Sequence, residues 1–347
     1  MLDKEVLSQS FLTFARDECK GSSLLYEYLS LEISREDTLL DLCKNASNGQ
    51  PVPNLLFGAV HYLLLKGTDH KLKEYYPSIV NKVKPYEESF KYFKAFCSEY
   101  YNEIRSILKT RLVQTNEVRR CAYLYPAFCY IYEKTKKPLA LIEIGTSSGL
   151  QFLWDKYSYS YGSNEMYGNK ESKLNITAKI VGENTPRLHS TPPPISTRIG
   201  LDLNTIDLND EEEKLWLKSL IWPEHKERLS MFEHATNYIK EYPVHLIEGD
   251  GISLLAEYSD RILEDSVICI FHTHVANQMS LETKKQLLRT VKSIGNDRDV
   301  FHIYNNMQDR NLHLDYYVDG VESKQMIAET DGHGRWFKWL CNSEQTF

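Results

Sequence analysis

The sequence predicts an α/β protein: a mainly parallel sheet that ends in an antiparallel meander, preceded by an all-helical domain. Three observations carry this. Apolar residues recur at helical spacing up to about residue 137. After Lys137, apolar runs of strand length alternate with helical stretches, the pattern of a parallel sheet covered by helices on both faces. Near the C-terminus three short runs are separated by Asp319-Gly320 and Asp331-Gly332, which read as hairpin turns. The expected division is a helical domain over 1–137 and a sheet domain over 138–347.

In the helical region Val6, Leu7, Phe11 and Phe14, then Leu24, Leu25, Tyr28 and Leu31, then Leu39, Leu40 and Cys43 keep the period of a helix. Breaks at Gly21, Asn48–Pro51, Pro77 and Pro85 divide it into about six or seven helices. One helix is expected over Pro85–Thr110, with Phe90, Phe93, Phe96, Cys97, Tyr100, Ile104 and Leu108 as an aromatic stripe, read as packing surface against the second domain in preference to a ligand-binding box. The predicted parallel strands are Leu139–Ile144, Arg198–Leu203, Val244–Ile247, Val267–Phe271 and Val300–Tyr304. A helix with an acidic first turn at Asn209–Glu213 stops at Trp222-Pro223, and a second runs from Glu224 to Lys240. Leu312–Val318, Lys324–Glu329 and Arg335–Leu340 form the meander. Residues 157–194 fit no short link and read as an insertion.

Composition narrows the function. The 347 residues are 42% hydrophobic and 26% charged, which excludes a disordered or fibrous chain. The net charge of −7 provides no basic field for a phosphate backbone, so no nucleic-acid partner is expected. The longest apolar stretch, Leu55–Leu65, is interrupted by His61 and falls short of the roughly 20 residues a membrane span needs. No membrane partner is expected, and the charged start Met1–Glu5 points to the cytoplasm. Seven scattered cysteines, never spaced C-x-x-C, read as reduced thiols.

The strongest chemical signal is a buried strand running into Glu143-Ile144-Gly145-Thr146-Ser147-Ser148-Gly149-Leu150, an E-x-G-x-x-x-G pattern that opens a helix. Gly145 permits a tight turn and a close main-chain approach to a ligand, and a helix start presents unpaired N–H groups. Glu143, ahead of the turn, suits a cationic or N–H-rich ligand. The dinucleotide fingerprint G-x-G-x-x-G lacks its middle glycine here. The competing reading is an ordinary strand-to-helix connection.

The second strand brings Asp202 to the carboxyl edge of the sheet, where an acid takes ribose hydroxyls. It comes 53 residues after Gly149 instead of about 20, and the insertion accounts for the excess. The competing, lesser reading of Asp202 is a capping or turn aspartate. The third strand delivers Asp250 and Gly251 to the same edge. The fourth ends in His272-Thr273-His274, whose two histidines share a face if the chain stays extended. They then hold a metal with Asp202 or Asp250, supply a general base, or are satisfied structural histidines. With no third ligand nearby in sequence, no metal is assigned.

Together these motifs resemble a class I S-adenosylmethionine-dependent methyltransferase, with its Rossmann-like sheet. More closely, the chain resembles the bacterial domain-of-unknown-function 2332 (DUF2332) family. The resemblance rests on Pro53–Leu64, Thr115–Arg120, Glu143–Leu150, Trp154–Tyr159, Arg198–Asp202, Trp216-Leu217, Trp222–His225 and Gly249-Asp250, and it covers nearly the whole chain. The family implies a Rossmann-like fold and carries no established activity. The methyltransferase resemblance implies S-adenosylmethionine as cofactor, with Gly145 and Gly149 lining the methionine moiety, Asp202 the ribose and Asp250 the adenine. Glu143, Thr146, Ser147, Leu203 and Gly251 belong to the same implied pocket. Ser147 stands where the commonest loop, E-x-G-x-G-x-G, has a glycine.

Asn116, Glu117 and Arg119, just before the apolar helix Cys121–Tyr132, read either as caps and solvated charges of a helix start or as a roof over the cofactor. Asn54, His61 and Tyr157 join them as candidate substrate or lid residues, although a lone His in an apolar helix is usually a hydrogen-bonded core residue. The expected function is a small-molecule methyltransferase, with His272, His274 or Glu117 as base. A second reading is a non-catalytic protein that keeps the fold and binds a nucleotide-like ligand or a partner. A third, a metal-dependent hydrolase, rests only on the His pair and the acids.

Overall fold

In the computed structural model of the chain, the described residues are 3–114 and 117–341. The α-helices are α1 Lys4–Phe14, α2 Leu24–Ile33, α3 Asp37–Cys43, α4 Val52–Leu65, α5 Ser89–Glu99, α6 Tyr101–Thr110, α7 Cys121–Thr135, α8 Glu211–Ser219, α9 Lys226–Glu241, α10 Gly251–Asp260 and α11 Leu281–Asp297. The strands are β1 Leu139–Ile144, β2 Ser158–Ser160, β3 Tyr167–Gly168, β4 Asn175–Thr177, β5 Lys179–Ile180, β6 Ile195–Asp202, β7 His245–Glu248, β8 Val267–His272, β9 Val300–Tyr304, β10 Leu312–Val318, β11 Val321–Thr330 and β12 Trp336–Trp339. The chain divides into two compact units, Met1–Thr115 with Asn209–Ser230, and Asn116–Leu208 with Met231–Phe347.

The first unit is helical. Every residue of α4 except Asn54 and Leu65 is buried, so this helix is apolar all round and forms the centre of the unit. Tyr26 stacks on Phe57 at 4.1 Å, and Phe93 meets Phe57 edge-on at 5.7 Å. Residues 209–230 were expected to stay with the sheet, and here the structure corrects the sequence. Asp210 caps α8 by accepting the Glu212 and Glu213 N–H groups at 2.8 and 3.3 Å, and α8 buries Trp216 in the helical core. A Cβ on Gly58 would lie 2.8 Å from Leu220 and 3.3 Å from Trp216, so only glycine lets α4 accept these side chains. A position between two strands says nothing about which core a helix's apolar stripe finds. The helix expected over Pro85–Thr110 is likewise interrupted: α5 ends at Glu99, Tyr100 leaves the helical region with φ −103° and ψ 33°, and α6 restarts at Tyr101 without a glycine or proline to mark the break.

The second unit is mixed α/β, built on a large, mainly parallel sheet with antiparallel strands at its C-terminal end. The strand order is β5-β12-β11-β10-β9-β8-β1-β6-β7. The strands β7, β6, β1, β8 and β9 run parallel, and β10, β11 and β12 follow as the antiparallel meander. Ile142, Ile144 and Ile270 pack with Leu255 of α10 and Leu287 and Val291 of α11 on one face. On the other face Phe128 of α7 stacks on Trp154 at 4.6 Å and meets Phe271 edge-on at 5.4 Å. α7 precedes the expected boundary at 137, yet its aromatic side packs on this sheet, so it belongs to the sheet unit. The insertion over 157–194 contributes a small sheet of order β3-β2-β4, and β5 extends the large one. Among the described residues no helix is long and apolar enough to cross a membrane. All seven cysteines are free thiols.

Candidate functional site

Because β6, β1, β8 and β9 are parallel, the loops that follow them open on one edge of the sheet. The turn after β1 is a run of unusual backbone: Gly145, Ser147 and Gly149 all take positive φ, at 74°, 53° and 75°. A Cβ on Gly145 would also lie 2.6 Å from Val275 Cγ2, so glycine is required there by conformation and by packing alike.

Two acids hold the turn from inside. Glu143, 3% exposed, accepts the Thr146 hydroxyl at 2.8 Å. Burial pushes its carboxyl well above the usual carboxylate range; the Thr146 hydrogen bond and the Arg120 charge oppose this, while Asp202 adds to it. Asp202 accepts the Ser147 N–H at 2.7 Å on one oxygen and the Asn204 N–H at 2.9 Å on the other. Burial raises its pKa too, against the pull of these main-chain donors. Asp202 is thus a turn aspartate, held by main-chain donors at the sheet edge. Ser147 is buried, and its hydroxyl has no hydrogen-bond partner among the described residues.

The helix expected after the turn is a 3-10 element of seven residues, Leu150–Lys156, with a non-helical Leu153. Its carbonyls are taken by side chains: Leu150 O by Tyr157 at 2.9 Å, Phe152 O by Arg198 at 3.1 Å and Trp154 O by Tyr159 at 2.6 Å. These side chains hold the segment in place, and the expected helix start shrinks to a short turn. Tyr157 itself is fully buried.

His272 and His274 do not share a face. The strand stops at His272, and His274 takes a positive φ of 65° with its N–H on Asn305 Oδ1 at 2.7 Å. His272 lies under α11, stacked on Tyr304 at 5.9 Å and 5.2 Å from His302. Burial lowers its pKa to about 3, with Lys284 adding to the effect. His274 is also lowered to about 3, by burial and then by Arg120 and His333. Among the described residues no three His, Cys, Asp or Glu side chains converge to hold a metal.

His274 faces a cluster that the sequence only half revealed. Glu117 is 3% exposed; one carboxylate oxygen accepts the Arg119 N–H at 3.3 Å and the other lies 3.3 Å from His333 Nδ1. Gln151 Nε2 donates to Glu117 O at 3.4 Å and to Thr273 Oγ1 at 3.0 Å. Arg120 donates to Gly332 O at 3.1 Å and to Thr273 Oγ1 at 3.3 Å. His333 is delivered by the turn between β11 and β12, where Asp331 accepts the His333 and Arg335 N–H groups at 3.2 and 3.0 Å. Gly334 has φ 73°, and a Cβ there would lie 2.5 Å from Arg119 O. The signal for His333 was present in the sequence as Asp331-Gly332-His333-Gly334, since a plain hairpin turn needs no second glycine after the histidine.

Other expected residues lie apart from this cluster. Asn54 and His61 are in the helical unit, where His61 is buried and its ring nitrogens pair with Ser219 O at 2.9 Å and Ser78 Oγ at 2.8 Å, the pattern of a core histidine. Asp250 is exposed and caps α10 through the Ile252 N–H at 3.2 Å. Leu203 is exposed, whereas Gly251 is buried at the first turn of α10. Asn116 lies outside the described residues.

No curated protein and no solved structure matches the chain. The model of the family described as "Uncharacterized protein conserved in bacteria (DUF2332)" matches residues 8–339, and the chain belongs to that family.

Proposed function

We propose that the sheet unit is a Rossmann-like S-adenosylmethionine-binding domain and that the protein is a cytoplasmic methyltransferase acting on a small molecule whose accepting atom loses a proton. The observation that carries this reading is the acid-clamped glycine turn beside Asp202. In chain order the parallel strands β1, β6, β7, β8 and β9 lie 3-2-1-4-5, the start of a doubly wound order, and the turn follows the strand at its switch point, where such sheets take ligands.

The residues fit the cofactor. Glu143 is a desolvated acid that a cationic ligand would ionise, Ser147 carries an orphaned buried hydroxyl, and Asp202 retains acceptor capacity for hydroxyls. The cofactor would supply a methyl group on a sulfonium centre. The chain's own work is to position the acceptor, exclude water and take its proton. Glu117, facing His333 Nδ1, selects the tautomer in which Nε2 is the proton acceptor, and His333 is half-exposed and so within reach of a substrate. This moves the base from His272 and His274, which burial makes weakly basic, to His333 with Glu117 behind it.

A second reading, a non-catalytic protein binding a nucleotide-like ligand, is favoured by one observation: both Asp202 oxygens already hold main-chain N–H groups. Calorimetry with S-adenosylhomocysteine, followed by transfer of a labelled methyl group from S-adenosylmethionine to a small-molecule extract, separates the two. Binding without transfer leaves the second reading.

A further inference from the structure

We infer that the insertion over 157–194 builds a second ligand site, for a small organic phosphomonoester, at the opposite edge of the sheet. A groove of 640 Å³ opens there, between Asn169-Lys170 and the start of β6, walled by Pro192–Pro194 and Tyr242. That volume suits a small molecule. The first residue of β6 is Ile195 and the last is Asp202, so at about 3.3 Å per residue the strand separates this groove from the glycine turn by roughly 20 Å.

The groove is electropositive on a chain whose net charge is −7. Lys156, Lys170 and Arg198 line it against one carboxylate, Asp155. Asp155 holds two of these cations in place, accepting Arg198 Nη2 at 2.7 Å and lying 3.0 Å from Lys156 Nζ. Arg198 uses Nε on Phe152 O and Nη2 on Asp155, which leaves further N–H donors of its planar fork. Lys170 is exposed and adds a second uncompensated charge. Two net positive charges match a phosphate dianion. Lys156 Nζ lies 4.5 Å from the Tyr242 ring centroid, so a cation already covers that ring, and the apolar wall is made by the three proline rings, which offer no N–H donor. The anion therefore carries an organic body.

The test is titration of the full chain with phenyl phosphate and with inorganic phosphate at low salt, followed by amide chemical shifts and calorimetry. Phenyl phosphate should perturb residues 168–170 and 190–195 and bind more tightly than inorganic phosphate. Lys170→Glu, an exposed change, should weaken it roughly tenfold while leaving the thermal stability and any response to S-adenosylhomocysteine unchanged. No binding at millimolar phenyl phosphate, perturbations elsewhere, indifference to Lys170→Glu, or equal affinity for inorganic phosphate would each overturn the assignment.

Discussion

Glu117 and His333 face each other across 3.3 Å although 216 residues separate them in the chain. The carboxylate is buried, and the imidazole is half-exposed. A buried acid behind a histidine is how a protein fixes one ring nitrogen as donor and leaves the other as proton acceptor. His333→Asn should abolish methyl transfer while leaving S-adenosylhomocysteine binding intact, because the ring is proposed to serve the acceptor and not the cofactor. Parallel calorimetry and transfer assays check this; loss of both together would make His333 a structural residue.

The turn that carries His333 depends on Gly334. A side chain there meets Arg119 O at 2.5 Å and must adopt φ 73°. Gly334→Ala should lower stability by about 1–3 kcal/mol, read from urea denaturation. A neutral result would mean the turn has room to move away from Arg119.

The glycine turn offers a paired contrast. Gly145→Val places a branched side chain at φ 74° against Val275 and should cost roughly 2–4 kcal/mol. Ser147→Gly removes an L-residue from φ 53° and should raise stability by about 0.5–1 kcal/mol, the αL strain outweighing the entropy of glycine. Thermal melts of the two variants should therefore move in opposite directions.

Falling pH should remove the stability that three histidines, held neutral by burial, contribute. Burial lowers His272 and His274 from 6.5 to about 3 and His61 to about 4. The unfolded chain then binds more protons, so the contribution is complete above pH 6.5 and declines as pH falls towards those lowered values. Each pH unit below about 6.5 removes about 1.4 kcal/mol per histidine. His272→Phe should flatten the slope between neutral pH and pH 5 by about one proton; an unchanged slope would place that proton elsewhere.

Much of the sheet was legible because its strands are buried runs bounded by turn residues: Leu139–Ile144 and Val300–Tyr304 appear where the pattern predicts them. The glycine turn was legible for the same reason, since its conformation is local. What the sequence concealed is non-local. The 3-10 element after Gly149 is held by Tyr157, Tyr159 and Arg198, which bond its carbonyls from outside its own window. His272 and His274 part because the backbone reverses at His274 towards Asn305. The Trp216 helix joins the helical core through Gly58 and Leu220, contacts with no signature in its own window. Glu117 was noticed as a charge near a helix start, but its partner His333 lay in a turn two hundred residues away.

The central claim is that the edge marked by Glu143, Gly145, Ser147 and Asp202 holds S-adenosylmethionine. Isothermal titration of the full chain with S-adenosylhomocysteine, in the native protein and in Asp202→Ala, tests it most directly. We predict saturable binding that the substitution weakens by roughly 1.5–3 kcal/mol through lost charge-assisted hydrogen bonds. Absence of binding at millimolar ligand, or an affinity indifferent to Asp202→Ala, would contradict it.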